Sequence, residues 1–264
     1  MMRAGVVGWP VSHSLSPLIH GAWIHGAGVN ATYDLLPAET GAAFDTLVAH
    51  ASDGLIQGFN VTAPWKLRAL ASADEATPTA RRAGSANLLT FRQGRILADS
   101  TDGVGVLSAL KSQAPHLSLP DARVTVLGAG GAARAATAAL IDAGARVGVI
   151  NRSADRARDL ADALDVDLQG TDGIGDADLV LNALPVDPGL DVAVLKPEAV
   201  VMDMTYRPLH PPLLSAARRR GLTTVDGLAM LIGQARPSFA AIYGVEPPDV
   251  DVRALCLAAL ETAQ

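Results

Sequence analysis

The chain has one cysteine, Cys256, in 264 residues. No internal disulfide is possible, which fits a reducing cytoplasm. It also lacks any uninterrupted apolar run near the roughly 18 residues that a membrane-crossing helix needs. Its first residues, MMRAGVVGWPVSHS, carry one basic residue and few apolar ones before Pro10. That is too short and too interrupted for a secretory signal. Positive charge is not in excess: 21 Lys and Arg stand against 27 Asp and Glu, a net charge of −6. This argues against general nucleic-acid binding. The six histidines show no metal-ligand spacing and no Cys/His cluster is visible, so no metal is expected. Tandem repeats and low-complexity segments are absent too. What is present is apolar material, 49% of the residues with slightly positive mean hydropathy, which describes a globular chain with ample core.

Strand-like and helix-like segments alternate along the chain. AGVVG (4–8) reads as a buried strand, and SPLIHGAWIHGAG (16–28) as a helix with Leu18, Ile19, Ala22 and Trp23 on one face. ATYDLLP is a second strand, GAAFDTLVAHA a helix and GLIQGFNV a third strand. ANLLTFRQGRILA (86–98) reads as a hairpin around Gln93-Gly94, followed by a helix over 103–113 and a proline-containing loop. The pattern then restarts with RVTVLGAGGAARAATAALIDAGARVGVINRS, one strand–turn–helix–strand unit. Further strands fit 178–182, 199–203 and 222–225, and two helices end the chain. Such alternation predicts α/β layers with mainly parallel sheets. The expected division is a first domain over 1–102, with 238–264 packing back on it, and a nucleotide-binding domain over 103–237.

The glycine run after RVTVL has the context that dinucleotide binding requires, following an apolar strand and opening a helix. Gly128 permits the tight turn, and Gly130 and Gly131 let the backbone approach a pyrophosphate that meets free N–H groups at the helix start. Ala133 replaces the third glycine of the usual pattern. About 20 residues past the first glycine, where an acid would hold a ribose hydroxyl, stands neutral Asn151. Arg152 follows, with Arg156 one helical turn on. No acid repels a 2′-phosphate and two guanidinium groups are placed to grip it, which points to NADP over NAD.

A second stretch, GFNVTAPWK (58–66), places Lys66 in the first turn of a helix started by Pro64. The helix dipole disfavours an ammonium there, so a lysine at this point suits a proton donor. These stretches, with GWPVSHSLSP, AGSANLL, STDGVG, NRSADR, DMTYRP and DGLAMLIGQA, follow the order and approximate spacing of shikimate dehydrogenases, and over almost its whole length the chain resembles that family. The resemblance implies an N-terminal α/β substrate domain plus a Rossmann-like NADP-binding domain. It implies NADPH-dependent, reversible reduction of 3-dehydroshikimate to shikimate by a cytoplasmic monomer or homodimer with no nucleic-acid or membrane partner.

The resemblance also implies roles for individual residues. Lys66 and Asp102 form the proton-transfer pair. Ser14 and Ser16 hold the substrate carboxylate, and Thr62, Asn87, Tyr206 and Gln234 its hydroxyls. Gly128, Ala129, Gly130, Gly131, Ala132, Asn151, Arg152 and Arg156 take the cofactor, with Met204 and Gly227 near the nicotinamide. Read on their own residues, Ser16 before Pro17 is a good N-cap, and Asp102 is an N-cap for a helix starting near Gly103. Trp9 and Trp65 are expected to wall the site or pack in the core, and His13 to be a flanking residue. Ser100 stands where the family pattern has asparagine, GSAN where it has GAVN, and NALPV where it has NATP. The nearest alternatives are an NAD(P)-dependent quinate/shikimate dehydrogenase and a non-catalytic NADP-binding sensor.

Overall fold

The structure, a computed structural model, describes residues 1–51, 54 and 56–262, with residues 171 and 172 described by backbone alone. Leu55, in the expected third strand, lies outside the described residues. The chain divides into two compact units, Met1–Thr101 with Gln234–Gln264, and Asp102–Gly233.

The first unit holds β1 (Met2–Gly8), α1 (Ser16–Gly26), β2 (Ala31–Pro37), α2 (Gly41–His50), β3 (Gly58–Val61), α3 (Lys66–Ala71), β4 (Glu75–Ala76), α4 (Pro78–Ala83), β5 (Leu88–Arg92) and β6 (Arg95–Asp99). Its six-stranded sheet runs β2-β1-β3-β5-β6-β4. β1 pairs parallel with β2 and β3, but β3, β5 and β6 pair antiparallel, so this sheet is mixed. The cause is local: Gln93 and Gly94 both take positive φ, 53° and 72°, and close a two-residue hairpin that reverses the chain. Phe44, Phe59, Val61, Leu89 and Phe91 form a core on this sheet.

On α1 the buried stripe is Ile19, His20, Trp23 and Ile24, not the expected Leu18–Ile19–Ala22–Trp23 face. Leu18 is exposed and Ala22 half-buried, because the inward side meets Tyr33 and Phe239 through His20 and Trp23.

The second unit begins with α5 (Asp102–Gln113) and continues through β7 (Arg123–Leu127), α6 (Gly131–Asp142), β8 (Arg146–Ile150), α7 (Ala154–Leu164) and β9 (Asp167–Leu168). A 3-10 turn (Thr171–Asp176) leads to β10 (Leu179–Asn182), β11 (Val200–Asp203), α8 (Pro212–Arg219) and β12 (Thr223–Val225). All strands pair parallel in the order β12-β11-β10-β7-β8-β9. Strand order reverses between β7 and β10, the switch point where open α/β sheets bind ligands beyond the strands' carboxyl ends. Both faces of this sheet are covered, which is why LVLN and VVMD are buried throughout. Two helices close the chain: α9 (Gly227–Tyr243), which starts in the second unit and ends in the first, and α10 (Val252–Glu261), which packs on α1. Among the described residues, no helix is long and apolar enough to cross a membrane.

Candidate active site

In the first unit the chain leaves β3 and turns at Thr62, whose carbonyl accepts from the Trp65 N–H at 3.0 Å. Trp65 Nε1 donates to the Ala38 carbonyl at 2.8 Å, and its ring lies 5.9 Å from that of Phe44. Trp65 therefore packs into this unit, whereas Trp9 is exposed. That anchor fixes the start of α3, and Lys66 is its first residue, half-buried, with its carbonyl accepting from the Ala86 N–H at 2.9 Å.

The SHSLSP turn differs from expectation. Ser16 is the first residue of α1 and not its cap; Ser14 Oγ accepts from the Ser16 N–H at 3.2 Å. With Pro17 lacking an N–H, the first free donor of the helix belongs to Ser16, and Ser14 is the side chain within reach. Ser14 uses a lone pair in that bond, so its hydroxyl proton stays available to an anion. Ser16 is buried and shares its hydroxyl with the Tyr33 phenol. His13 is exposed.

Asn87 and Gln234 are both buried and face each other. Asn87 Nδ2 donates to Gln234 Oε1 at 3.0 Å and to Thr101 Oγ1 at 2.9 Å, while Asn87 Oδ1 accepts from the Thr101 N–H at 2.7 Å. The Thr101 bond decides which edge of the Asn87 amide is oxygen. Three further buried polar residues, Tyr33, Asn60 and Ser238, join this cluster. Tyr33 donates to Asn60 Oδ1 at 2.8 Å, and Asn60 Nδ2 to Ser238 Oγ at 2.9 Å. Sequence reading missed these three and Thr101. The available signal was an asparagine inside the apolar strand GFNV, since a buried amide demands partners.

In the second unit Gly128 follows β7 with φ +119°, a conformation that strains any residue with a Cβ. Its N–H donates to the Ile150 carbonyl at 2.8 Å, closing the turn onto β8. Gly130 caps α6 in extended conformation, and a Cβ added there would meet nothing within 4 Å. Neither backbone strain nor packing requires a glycine at that position. Ala133, at the third motif position, is fully buried against the sheet.

Beyond β8, Asn151 Nδ2 donates to the Ser153 carbonyl at 3.0 Å, and Ser153 caps α7. Arg152 and Arg156 stand exposed on either side of that cap.

The ends of β10 and β11 are tied together. Asn182 Nδ2 donates to Asp203 Oδ2 at 2.9 Å, and Asp203 Oδ1 accepts from the Thr205 N–H at 2.8 Å. Burial raises the Asp203 carboxyl above the ordinary range, against these bonds. The loop they hold carries Met204 and Tyr206, both half-buried. Gly227 packs so closely on the Met204 carbonyl that no Cβ fits. Asp102 is the first residue of α5 and buried, one place inside the expected cap position. A separate cavity of about 520 Å³ lies at the amino ends of β7 and β8, lined by Arg123, Thr125, Arg146 and Gln169, away from the ligand-binding strand ends.

The 3-2-1-4-5-6 sheet order with its glycine turn, and a separate α/β unit with a buried amide cluster, define a dinucleotide-dependent dehydrogenase with its own substrate unit. Residues 6–89 match the family model described as shikimate dehydrogenase substrate binding domain, and residues 109–184 the one described as shikimate / quinate 5-dehydrogenase. The chain is 47% identical to a shikimate dehydrogenase (NADP(+)) of Caulobacter vibrioides, covering 96% of this chain and 94% of that protein. It is 42% identical to the Gluconobacter oxydans protein of the same name, over 92% and 91%. Shikimate 5-dehydrogenase from Thermus thermophilus, solved in complex with NADP(H) and shikimate, superposes with a TM-score of 0.89 at 33% identity, covering all of both chains. The chain belongs to the shikimate dehydrogenase family.

Proposed function

We propose that this protein catalyses the NADPH-dependent, reversible reduction of 3-dehydroshikimate to shikimate in the cytoplasm. The observation that carries the cofactor half of this reading is Gly130, whose missing side chain leaves room at the start of α6 that nothing in the protein fills. Gly128, Ala129, Gly130, Gly131 and Ala132 present backbone to the diphosphate. Arg152 and Arg156 grip the 2′-phosphate, and neutral Asn151 does not repel it. Met204 and the bare backbone of Gly227 lie against the nicotinamide.

When bound, NADPH supplies the hydride that reduces the C3 carbonyl carbon. The protein supplies the rest. Lys66 donates a proton to the oxygen as negative charge develops on it, and takes one back in the oxidation direction. Asp102 orients the ammonium and stabilises its charge. Ser14 and Ser16 donate to the carboxylate, Ser16 by releasing Tyr33. Thr62, Asn87, Gln234 and Tyr206 bond the hydroxyls, holding the ring so that the reacting carbon stays in place.

Spectrophotometric oxidation of shikimate and of quinate, each with NADP and with NAD, tests the reading. The expected result is highest kcat/KM for shikimate with NADP. Higher kcat/KM for quinate or with NAD would overturn the stated specificity, and no turnover with any pair would overturn the enzyme itself.

A further inference from the structure

Seven buried side chains of the first unit form one connected set of hydrogen bonds, and Ser238 is where its branches meet. From one direction the chain of donors runs from Ser16 to the Tyr33 oxygen, from the Tyr33 hydroxyl to Asn60 Oδ1, and from Asn60 Nδ2 to Ser238 Oγ. From the other, Asn87 Nδ2 donates to Gln234 Oε1 and to Thr101 Oγ1, and Thr101 Oγ1 lies 3.2 Å from Ser238 Oγ. Ser238 is itself fully buried on α9, with Pro237, which has no N–H, just before it.

Proton counting assigns the directions. Ser238 has one hydroxyl proton, and it goes to the Gln234 carbonyl at 3.0 Å. Its oxygen is then an acceptor for Asn60, so the Thr101 hydroxyl must be the donor in the Thr101–Ser238 contact. Thr101 has two competing acceptors, Gln234 Oε1 and Asn87 Oδ1, each at 3.3 Å. Ser238 is the nearest of the three. With the Thr101 proton drawn to Ser238, the Thr101 oxygen is left to receive Asn87 Nδ2, and Gln234 Oε1 is left to Asn87.

We infer that Ser238 is a positioning residue for substrate binding. It fixes the Gln234 backbone through one bond, and it turns the Thr101 hydroxyl so that its oxygen receives Asn87 Nδ2, reinforcing the amide orientation that the Thr101 N–H sets. Through Asn60 and Tyr33 it also reaches Ser16 until that hydroxyl turns to the carboxylate. This inference rests on the reading above that Asn87 and Gln234 bond the substrate hydroxyls and Ser16 the carboxylate.

The test uses the full-length protein and the variants Ser238→Ala, Ser238→Thr, Gln234→Ala and the Ser238→Ala/Gln234→Ala double variant. Removing the hydroxyl is expected to raise KM for shikimate, and Kd from direct titration of shikimate without cofactor, by about three- to tenfold, the scale of one neutral hydrogen bond. KM for NADP should stay within about twofold and kcat should change less than KM, as expected of a residue that acts on substrate binding alone. Ser238→Thr, which keeps a hydroxyl, should recover most of the affinity. The Ser238→Ala and Gln234→Ala effects should be less than additive, since one acts through the other. The inference falls if the parent binds shikimate and Ser238→Ala binds it as tightly. It falls equally if both KM values rise together, or if the two effects add. A parent that fails to bind shikimate overturns the functional reading, and this inference with it.

Discussion

Lys66 and Asp102 each occupy the first residue of a helix, α3 and α5. Free backbone N–H groups at such a position favour the carboxylate and oppose the ammonium. Lys66→Ala is expected to lower kcat by ~10²–10⁴-fold, the usual scale of general acid–base catalysis, with little change in shikimate affinity. Turnover close to that of the parent would remove the assigned role.

Ser100 makes a different point. It is 2% exposed, and its hydroxyl finds no partner in the structure, although its N–H donates to Asp99 Oδ1 at 2.7 Å. An unmatched buried hydroxyl costs roughly 1–3 kcal/mol. At the lower end of that range, about 1 kcal/mol, Ser100→Ala is expected to raise Tm by about 2–4 °C. A lower Tm in a thermal melt would show that the hydroxyl is satisfied after all.

In the proposed function, cofactor choice falls to a few residues of the β8–α7 connection. Asn151 is turned back onto the Ser153 carbonyl, Ser153 caps α7, and the two arginines flank that cap. Arg152→Ala should weaken NADP by roughly 10- to 100-fold, the range for a hydrogen bond to a charged group, and leave NAD nearly unchanged. The loss should shrink at higher salt, where exposed charges are screened. Equal losses for both cofactors in kcat/KM measurements would show that Arg152 shapes the turn and does not read the phosphate.

This connection was legible in sequence, as was the whole β7–α6–β8 unit, because glycine spacing, strand composition and helix period all lie within about 30 consecutive residues. The hairpin at Gln93-Gly94 was legible for the same reason. The phase of α1 was not, since helical period alone does not say which neighbouring stripe faces Tyr33 and Phe239. Nor was the cap on α1, where Ser14 and Ser16 offer the same chemistry two residues apart. α4, six residues long, carries too little pattern to detect. The polar cluster escaped for a stronger reason: Asn60 and Ser238 bond each other across 178 positions of sequence. Lys66 and the glycine turn announce themselves by local chemistry, whereas Ser238 in RPSFA reads as an ordinary helix serine until the fold supplies its partners.

Stability of the folded protein should carry the signature of His20. The ring is fully buried, stacked on Tyr33 at 4.0 Å and edged by Trp23 and Phe239, with no hydrogen-bond partner for either nitrogen. Burial lowers its pKa to about 3 from an ordinary value of 6.5. Between those values the unfolded chain takes up a proton that the folded one refuses, so stability is full above about 6.5 and declines as pH falls. The contribution is about 1.4 kcal/mol per pH unit. His20→Phe should flatten the stability profile between about pH 6 and pH 4 by roughly that slope in denaturant titrations. An unchanged slope would mean that other groups set the acid limit.

The division of the chain has its own consequence, for synthesis. The second unit is one continuous stretch, Asp102–Gly233, while the first is assembled from Met1–Thr101 and Gln234–Gln264. As the ribosome extends the chain, the residues up to Thr101 emerge without Gln234, Ser238, Phe239 or α10. Asn60 then has no Ser238 hydroxyl to bond, His20 and Trp23 have no Phe239 ring against them, and α1 has no α10. Domains usually complete their folding in the order in which they are made. Here the order inverts: the later-made unit has all its residues first, and the amino-terminal one waits with an open core until α9 and α10 have been made. During that wait α1 leaves exposed the apolar surface that Phe239 and α10 later cover.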